Sequence, residues 1–323
     1  MKRLEAYKKA MLAYLVAECD ANQVLAAARE LTSVEQTLFT APYPPLGSER
    51  VVPRYFGAGE WAAATGYRTM DKGGKMTPIS GAASDFPEVA IGTDLTLSPV
   101  REFGISYGYT RVELLQAAKQ GIPLDATKAT VAQRAYEELV DEMAWSGDQK
   151  LGLKGLKSYL GGDGIKTKST AAALSTLTND QILTFFNDLF ADVADATNDA
   201  RSADTLVLPT KVRDFLTTRR MGSGDGTLTV LQFFLANSPY CKNIITWNRL
   251  KNGGDDFKGT SQHVALAGNI SPQVLRQQIP QAFMTHEPEM QMTRTVVPCS
   301  ARVGSVELIE PKSWGALQIV PES

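Results

Sequence analysis

Val100-Arg-Glu-Phe-Gly-Ile-Ser-Tyr-Gly-Tyr109, a short apolar-charged run from Thr110 to Ala118, Gly121-Ile-Pro-Leu-Asp125, and an alanine-rich segment ending in Trp145-Ser-Gly-Asp148 and Gly152-Leu-Lys-Gly155-Leu156 form the best-patterned stretch of this chain. Val100–Tyr109 alternates apolar and polar residues, the period of a half-buried strand. Thr110 is placed to cap a short helix through Glu113, Leu114, Leu115, Ala117 and Ala118. Pro123 disfavours helix at Ile122, and Asp125 is the expected N-cap of the next helix. From Asp125 to Trp145, Ala129, Ala132, Ala135, Tyr136, Leu139, Met143 and Ala144 recur at spacings of three and four. That period predicts a helix about 30 Å long with one buried face. The other face carries Arg134, Glu137, Glu138, Asp141 and Glu142, and is expected to meet water or the charged surface of another subunit. Gly147 ends the helix.

Upstream, Lys2 to Leu38 reads as one or two amphipathic helices, and Thr40-Ala-Pro42-Tyr-Pro44-Pro45-Leu-Gly47 breaks regular structure into an extended segment. Such a segment either links a helix packed on its own domain or lies across a neighbour. Between Tyr55 and Pro99 seven glycines punctuate short strand-like runs, and Asp71-Lys-Gly-Gly-Lys75 supplies turn residues, so a hairpin tip is predicted there.

Downstream, a turn at Gly161–Gly164 precedes a helix capped by Thr178 or Asn179, with Ile182, Phe185, Phe186, Leu189, Phe190, Val193 and Ala194 as its core stripe. A buried strand at Thr205–Pro209, helices at Thr210–Arg220 and Val230–Ala236 around a Gly-rich loop, and a strand at Asn243–Trp247 follow. The last third predicts strands at Val264–Ala267 and Gln281–Thr285, a hairpin of Glu289–Val297 with Ala301–Ile309 turning at Pro298-Cys-Ser300, and a closing strand at Trp314–Val320.

A chain of 323 residues buries a sizeable core in one large or two ordinary domains, and 43% hydrophobic with 21% charged residues is an ordinary folded composition. A net charge of −2 provides no global basic field for nucleic acid. Cys19, Cys241 and Cys299 lack the even count and spacing of a disulfide framework or zinc site, which points to a reducing compartment. The apolar run from Ala10 to Ala28 is broken by Glu18, Asp20, Asn22 and Gln23, too early to cross a bilayer that needs about 20 apolar residues.

The chemistry-bearing motifs are few. Only His263 and His286 are present, with no paired histidine spacing for a metal. Gly147-Asp-Gln-Lys-Leu-Gly152 has the glycines of a phosphate loop, but Leu153-Lys154-Gly155 replaces the Gly-Lys-Ser/Thr that reaches phosphate and magnesium. No Gly-x-Ser-x-Gly elbow occurs. The acids of the long helix line one face rather than a pocket. No catalytic residue, cofactor or metal is therefore predicted.

The order of a Val-Arg-Glu-Phe-Gly-Ile-Ser-Tyr strand, a short helix, the Gly-x-Pro-Leu-Asp turn, the long helix and a closing Gly-Asp with Gly-Leu-x-Gly-Leu resembles the major capsid proteins of tailed phages, which have the Hong Kong 97 fold. The resemblance is clearest from Val100 to Leu156. It implies an α+β subunit with an N-terminal helix and extended arm at 1–54, an extended hairpin loop at 55–100, a peripheral domain at 101–155 and 281–310 whose spine is the long helix, and an axial domain at 156–280 and 311–323. The implied function is structural: self-assembly, as hexamers and pentamers, into the icosahedral head shell that encloses double-stranded DNA. Implied partners are copies of the chain, a portal, separate scaffold or decoration proteins, and packaged DNA contacted without sequence reading; no membrane is implied. The implied location is the virion, with assembly in the host cytoplasm. Subunit contacts are then expected at Asp71, Lys72 and Lys75, with the lysines either pairing with carboxylates across an interface or forming a solvated turn. They are also expected at Glu137, Glu138, Asp141 and Glu142. Arg219 and Arg220 either bind an anion or line the capsomer axis, or else oppose the helix dipole. Two other readings stand beside this one: a nanocompartment shell with the same fold, distinguished by a cargo-peptide groove, and an unrelated α+β enzyme, distinguished by a pocket of perturbed titratable groups.

Overall fold

The structure, a computed structural model, describes Lys8 and residues 43–76, 88–121, 123–161, 164–222, 228–251 and 262–320. The helices expected at Lys2–Leu38, and Cys19, lie outside the described residues. The chain divides into two compact units, Met1–Tyr43 with Leu115–Pro123, and Pro44–Leu114 with Leu124–Ser323. Every element below belongs to the second unit except the last turns of helix α2.

After the irregular proline segment, one helical turn, α1 (Ser48–Val51), and a short strand, β1 (Arg54–Tyr55), lead into an antiparallel ribbon of β2 (Ala64–Gly73) and β3 (Ala90–Thr110). Strand β3 is 21 residues long. Its first half pairs with β2, from Ala64 opposite Pro99 to Gly73 opposite Ala90. Its second half pairs with β13 (Arg294–Gly304), from Val100 opposite Gly304 to Thr110 opposite Arg294. The tip expected at Asp71–Lys75 is corrected: Asp71 and Lys72 sit inside β2, opposite Gly92 and Ile91. Turn-tolerant residues permit a reversal without dictating one, and here the ladder continues through them. The turn lies beyond Gly73, and residues 77–87 fall outside the described residues.

Helix α2 (Arg111–Gln120) opens on a reciprocal cap. The Glu113 amide donates to Thr110 Oγ1 (3.2 Å) and the Thr110 amide donates to Glu113 Oε2 (3.0 Å). This bond, with Lys128 nearby, holds the Glu113 carboxyl below the usual carboxylate range. The long helix α3 spans Leu124–Trp145, about 33 Å. It begins one residue earlier than expected, so Asp125 occupies the first turn, where its charge still faces the positive helix end, instead of the N-cap. Gly147 terminates it at φ +65°, with a tight hairpin of β4 (Gly147–Asp148) and β5 (Leu153–Lys154) closing behind. A Cβ at Gly147 would stand 2.4 Å from the Gly155 nitrogen and the Leu153 oxygen, so both the conformation and the space require glycine.

A second five-stranded sheet has the order β6 (Lys166–Ala173), β15 (Trp314–Val320), β9 (His263–Gly268), β7 (Thr205–Leu208), β8 (Asn243–Thr246). Helix α4 (Asn179–Ala196) starts from a Thr178–Gln181 capping box. It lays Ile182, Phe186, Leu189, Phe190 and Val193 into a core completed by Leu206, Leu208, Ala265, Leu317 and Ile319. Helices α5 (Thr210–Thr218) and α6 (Val230–Asn237) cross from β7 to its parallel neighbour β8, and Phe234 of α6 packs on Phe190. A second core gathers Trp145 at the end of α3, Leu156, Leu266, Leu308 and Trp314 around Trp247. The Trp145 and Trp247 rings meet edge-on at 5.5 Å. A small third core holds Val140 and Met143 against Leu153, Ile279 and Val303.

The remaining strands are β10 (Leu275–Gln278), β11 (Gln281–Thr285), β12 (Glu289–Gln291) and β14 (Val306–Leu308). Strand β10 sits between β1 and β14, and β11 and β12 both pair with β13. The hairpin expected at Pro298-Cys-Ser300 turns instead at Met292–Thr293, with Met292 at φ +53°. Strand β13 runs unbroken through Pro298, opposite Ser106. Proline's fixed φ suits a strand, and only its missing N–H must be tolerated. Its carbonyl accepts from the His286 amide at 2.9 Å. Cys241 and Cys299 are free and buried.

Phe190→Ala empties the centre of the α4 core and is expected to lower unfolding free energy by about 3–5 kcal/mol, read by urea denaturation of the unassembled subunit.

Candidate functional site

The β2–β3 ribbon has two unlike faces, because residues opposite one another in an antiparallel ladder share a side. Gly66 with Leu97, Arg68 with Leu95, Met70 with Thr93, and the position of Lys72 with Ile91 form one face. Thr65 with Ser98, Tyr67 with Thr96, Thr69 with Asp94, and Asp71 with Gly92 form the other. All the large aliphatic side chains of the ribbon therefore fall on one side, and they are exposed: Leu97 65%, Met70 62%, Ile91 61% and Leu95 56%. Leu97 lies across Gly66, where a Cβ would come within 2.7 Å of it. An exposed apolar ladder on a protruding ribbon is an interaction surface, since single exposed apolar residues are ordinary and aligned rows are not. The sequence carried the signal, Ile91-x-x-x-Leu95-x-Leu97 at even spacing, but only the register shows that Met70 joins the same face. Of the expected tip residues, Asp71 falls on the polar face and Lys75 lies past the strand end, exposed. At the ribbon's base, Trp61 is 86% exposed, on a loop whose Glu60 carbonyl accepts from Arg302.

The acidic face of α3 is not one solvated surface. Glu142 is exposed, Glu137 and Glu138 are half-buried, and Asp141 is buried at 2%. Glu138 pairs with Arg134 at 2.9 Å, and Arg134 also donates to the Pro44 carbonyl at 2.6 Å. Asp141 is a hub. Its Oδ1 accepts from the Gly47 amide (3.3 Å), the Ser48 amide (3.0 Å) and Trp247 Nε1 (3.1 Å), while Oδ2 accepts from Arg249 Nε at 2.9 Å. The expectation of an exposed Asp141 is thereby corrected. It lies three and four residues before Ala144 and Trp145, both buried, so it shares their side of the helix. It binds the segment preceding α1 and the turn after β8 to the end of α3. A cleft of about 620 Å³ opens beside it, lined by Pro44, Pro45, Leu46, Trp145, Lys157 and Lys251 among others.

Arg219 is occupied within the fold. Its guanidinium donates to the carbonyls of Leu174 (2.9 Å) and Leu177 (2.5 Å) and stacks on Phe215 at 5.6 Å. It therefore closes the turn before α4, a role neither of the sequence alternatives contained. Arg220 is exposed, and its backbone bridges Thr229. The adjoining residues 223–227 lie outside the described residues.

Among the described residues no group of three or more His, Cys, Asp or Glu side chains is arranged to hold a metal. Burial pushes the Cys241 thiol up to about 11 and the Tyr159 hydroxyl up to about 12, which fixes both in their neutral forms at neutral pH. His286, between β11 and β12, holds Nε2 2.7 Å from Ser300 Oγ of β13, an exposed pair.

A model of the family described as Major capsid protein matches residues 74–317. Among solved structures, the capsid of Myoviridae phage XM1 is similar over 91% of this chain and 98% of its own, at 18% identity and a TM-score of 0.75. The capsid of a native GTA particle is similar over 92% and 98%, at 12% identity and a TM-score of 0.62. A structure from Mycobacterium phage Bobi is similar over 94% and 100%, at 13% identity and a TM-score of 0.61. At such identities the likeness is one of fold. A search of the curated proteins finds no match.

Asp141→Ala leaves two amides, an indole N–H and a guanidinium without their acceptor, and is expected to cost about 3–5 kcal/mol. Glu142→Ala, one residue away on the exposed side, is expected to stay within about 0.5 kcal/mol of the parent. Chemical denaturation of the two variants in parallel checks the contrast; equal effects would show that Asp141 is not the hub described.

Proposed function

This chain belongs to the major capsid protein family, and we propose that its ribbon is the arm by which neighbouring copies interlock. It is a structural subunit of a phage capsid with the Hong Kong 97 fold. The family's role is architectural and not catalytic, and the match to a capsid family favours a phage head over a nanocompartment or an enzyme.

The observation that carries the interlocking is the one-sided ladder of Ile91, Leu95, Leu97 and Met70, exposed on a ribbon that projects from the folded body. An isolated two-stranded ribbon is marginal in water, and a row of aliphatic side chains on it adds an unfavourable hydrated surface. A second copy of the chain removes both costs by accepting the apolar face. Arg68 on that face, and Lys72 and Lys75 further out, then supply charge for pairing with acids of the neighbour such as Glu137 and Glu142. Arg220 and the loop it adjoins serve the contact around the capsomer centre. Residues 1–54 act as the arm, 55–100 as the hairpin loop, 101–155 with 281–310 as the peripheral domain, and 156–280 with 311–323 as the axial domain.

Subunits assemble in the host cytoplasm into hexamers and pentamers, together with a portal and separate scaffold or decoration proteins. The shell then retains double-stranded DNA. A net charge of −2 supports containment through local contacts in place of a continuous basic lining.

Replacing Leu95 and Leu97 together by Asp puts two charges on the docking face, which a neighbour accepts only by desolvating them. The double variant is expected to keep the wild-type unfolding transition and lose shell formation, read by light scattering and electron microscopy. Thr96→Ala, on the polar face, is expected to assemble normally. Wild-type shell yield from the double Asp variant would remove the ribbon from the assembly interface.

A further inference from the structure

We propose that Glu307 is a positioning residue for assembly: it fixes the angle at which the β2–β3 ribbon leaves the body of the subunit. The inference rests on the reading of the ribbon as the interlocking arm. Glu307 sits in β14, 1% exposed, and its two oxygens face different parts of the molecule. Oε1 accepts from Thr65 Oγ1 of the ribbon at 3.3 Å. Oε2 accepts from Arg276 Nε and Gln278 Nε2 of β10, each at 2.8 Å. The Arg276 guanidinium in turn stacks over the ring of Tyr55 in β1 at 4.4 Å. One residue along, the Leu308 carbonyl accepts from Tyr67 Oη at 3.3 Å. Thr65 and Ser98, opposite each other, are the buried root of the ribbon, and outward of Tyr67 its described side chains are exposed or half-exposed.

The length of the ribbon gives this joint its effect. From Thr65 to Gly73 the strand extends about 26 Å, so a rotation of about 10° at the root displaces the far end by about 5 Å. Apolar packing at the root resists separation but not small rotations, because it is non-directional. Hydrogen bonds to a buried carboxylate are directional, and a buried ion pair adds little net stability while fixing geometry. Glu307 is therefore placed where a directional contact has the largest effect on where the ladder of Leu95 and Leu97 arrives.

The test leaves the ion pair intact and cuts only the ribbon side of the joint, by Thr65→Val with Tyr67→Phe in the full chain. The unfolding transition is expected to stay within a few degrees of wild type. In unassembled subunits the amides of 64–73 and 90–99 are expected to exchange about tenfold faster, the factor that loss of two root hydrogen bonds gives. Under conditions where wild type forms uniform shells, the variant is expected to give shells of mixed diameter or open sheets. Thr65→Ser with Tyr67 retained restores the donor and should restore uniform shells. Uniform wild-type shells from the Val/Phe variant overturn the proposal. So does failure of that variant to fold, since the contacts would then belong to the core and not to a joint. If Leu95→Asp with Leu97→Asp blocks assembly while the Val/Phe variant assembles normally, the arm reading stands and the joint falls. If the double Asp variant assembles, the premise itself fails.

Discussion

One strand belongs to two ladders, and the rest of the molecule is arranged around that constraint. Over Ala90–Pro99, β3 is half of an exposed ribbon; over Val100–Thr110 it pairs with β13 in the sheet beside α3. The backbone that projects is continuous with the backbone that is anchored, so no hinge loop separates them in the chain. The changeover falls at Pro99 and Val100. There the Val100 amide donates to the Ala63 carbonyl, and the side chain of Val100 is buried. Whatever fixes the second half of β3 thereby aims the first half.

Two buried carboxylates tie further segments together in similar ways. Asp141 gathers amides from the segment before α1, the indole of Trp247 and the guanidinium of Arg249 onto the end of α3. Glu307 gathers Thr65, Arg276 and Gln278. Each joins segments more than two hundred or about a hundred residues apart at a place where the apolar cores alone leave relative orientation open. Neither is an economical stabiliser, since desolvating a carboxylate offsets most of what its partners return. Their common consequence is orientation: one fixes how the proline segment meets the spine helix, the other how the ribbon meets β14.

Local signals made much of the fold legible. The α4 stripe, the caps at Thr110 and Thr178, the stop at Gly147 and the strands around Thr205 and Trp314 all follow from periods and short-range hydrogen bonds, which depend only on near neighbours in sequence. What was misread depended on distant partners. Pro298 looked like a turn because proline often is one, whereas pairing with Ser106 carries β13 through it. Asp71–Lys75 looked like a tip because glycines tolerate turns, whereas the ladder opposite decides where pairing ends. Asp141 looked solvated because acids usually are, and its four partners come from residues 47, 48, 247 and 249. Likewise the even spacing of Ile91, Leu95 and Leu97 marks one side of β3, but that Met70 completes the apolar face shows only in the register, since Met70 and Leu95 are far apart in the chain and neighbours in the sheet.

The energetics of that face favour closed assemblies over pairs. Four aliphatic side chains, each already partly covered, have roughly 4–7 kcal/mol left to gain from burial. Association costs about 4–15 kcal/mol in lost translational and rotational freedom, with side-chain ordering on top. One such ribbon contact is thus break-even at best, and two subunits meeting through it alone would separate readily. On the interlocking proposed for it, the contact is heterologous: the ribbon of one copy meets a different surface of the next, so closing a ring adds one contact without any further loss of freedom. Closure tips the balance that a pair cannot. A heterologous contact closes only if its rotation divides the circle, and otherwise it continues as an open filament. The direction in which the ribbon leaves the body therefore decides what can form as much as the apolar area it buries, and a rigid, directional root is what a weak interlocking contact requires.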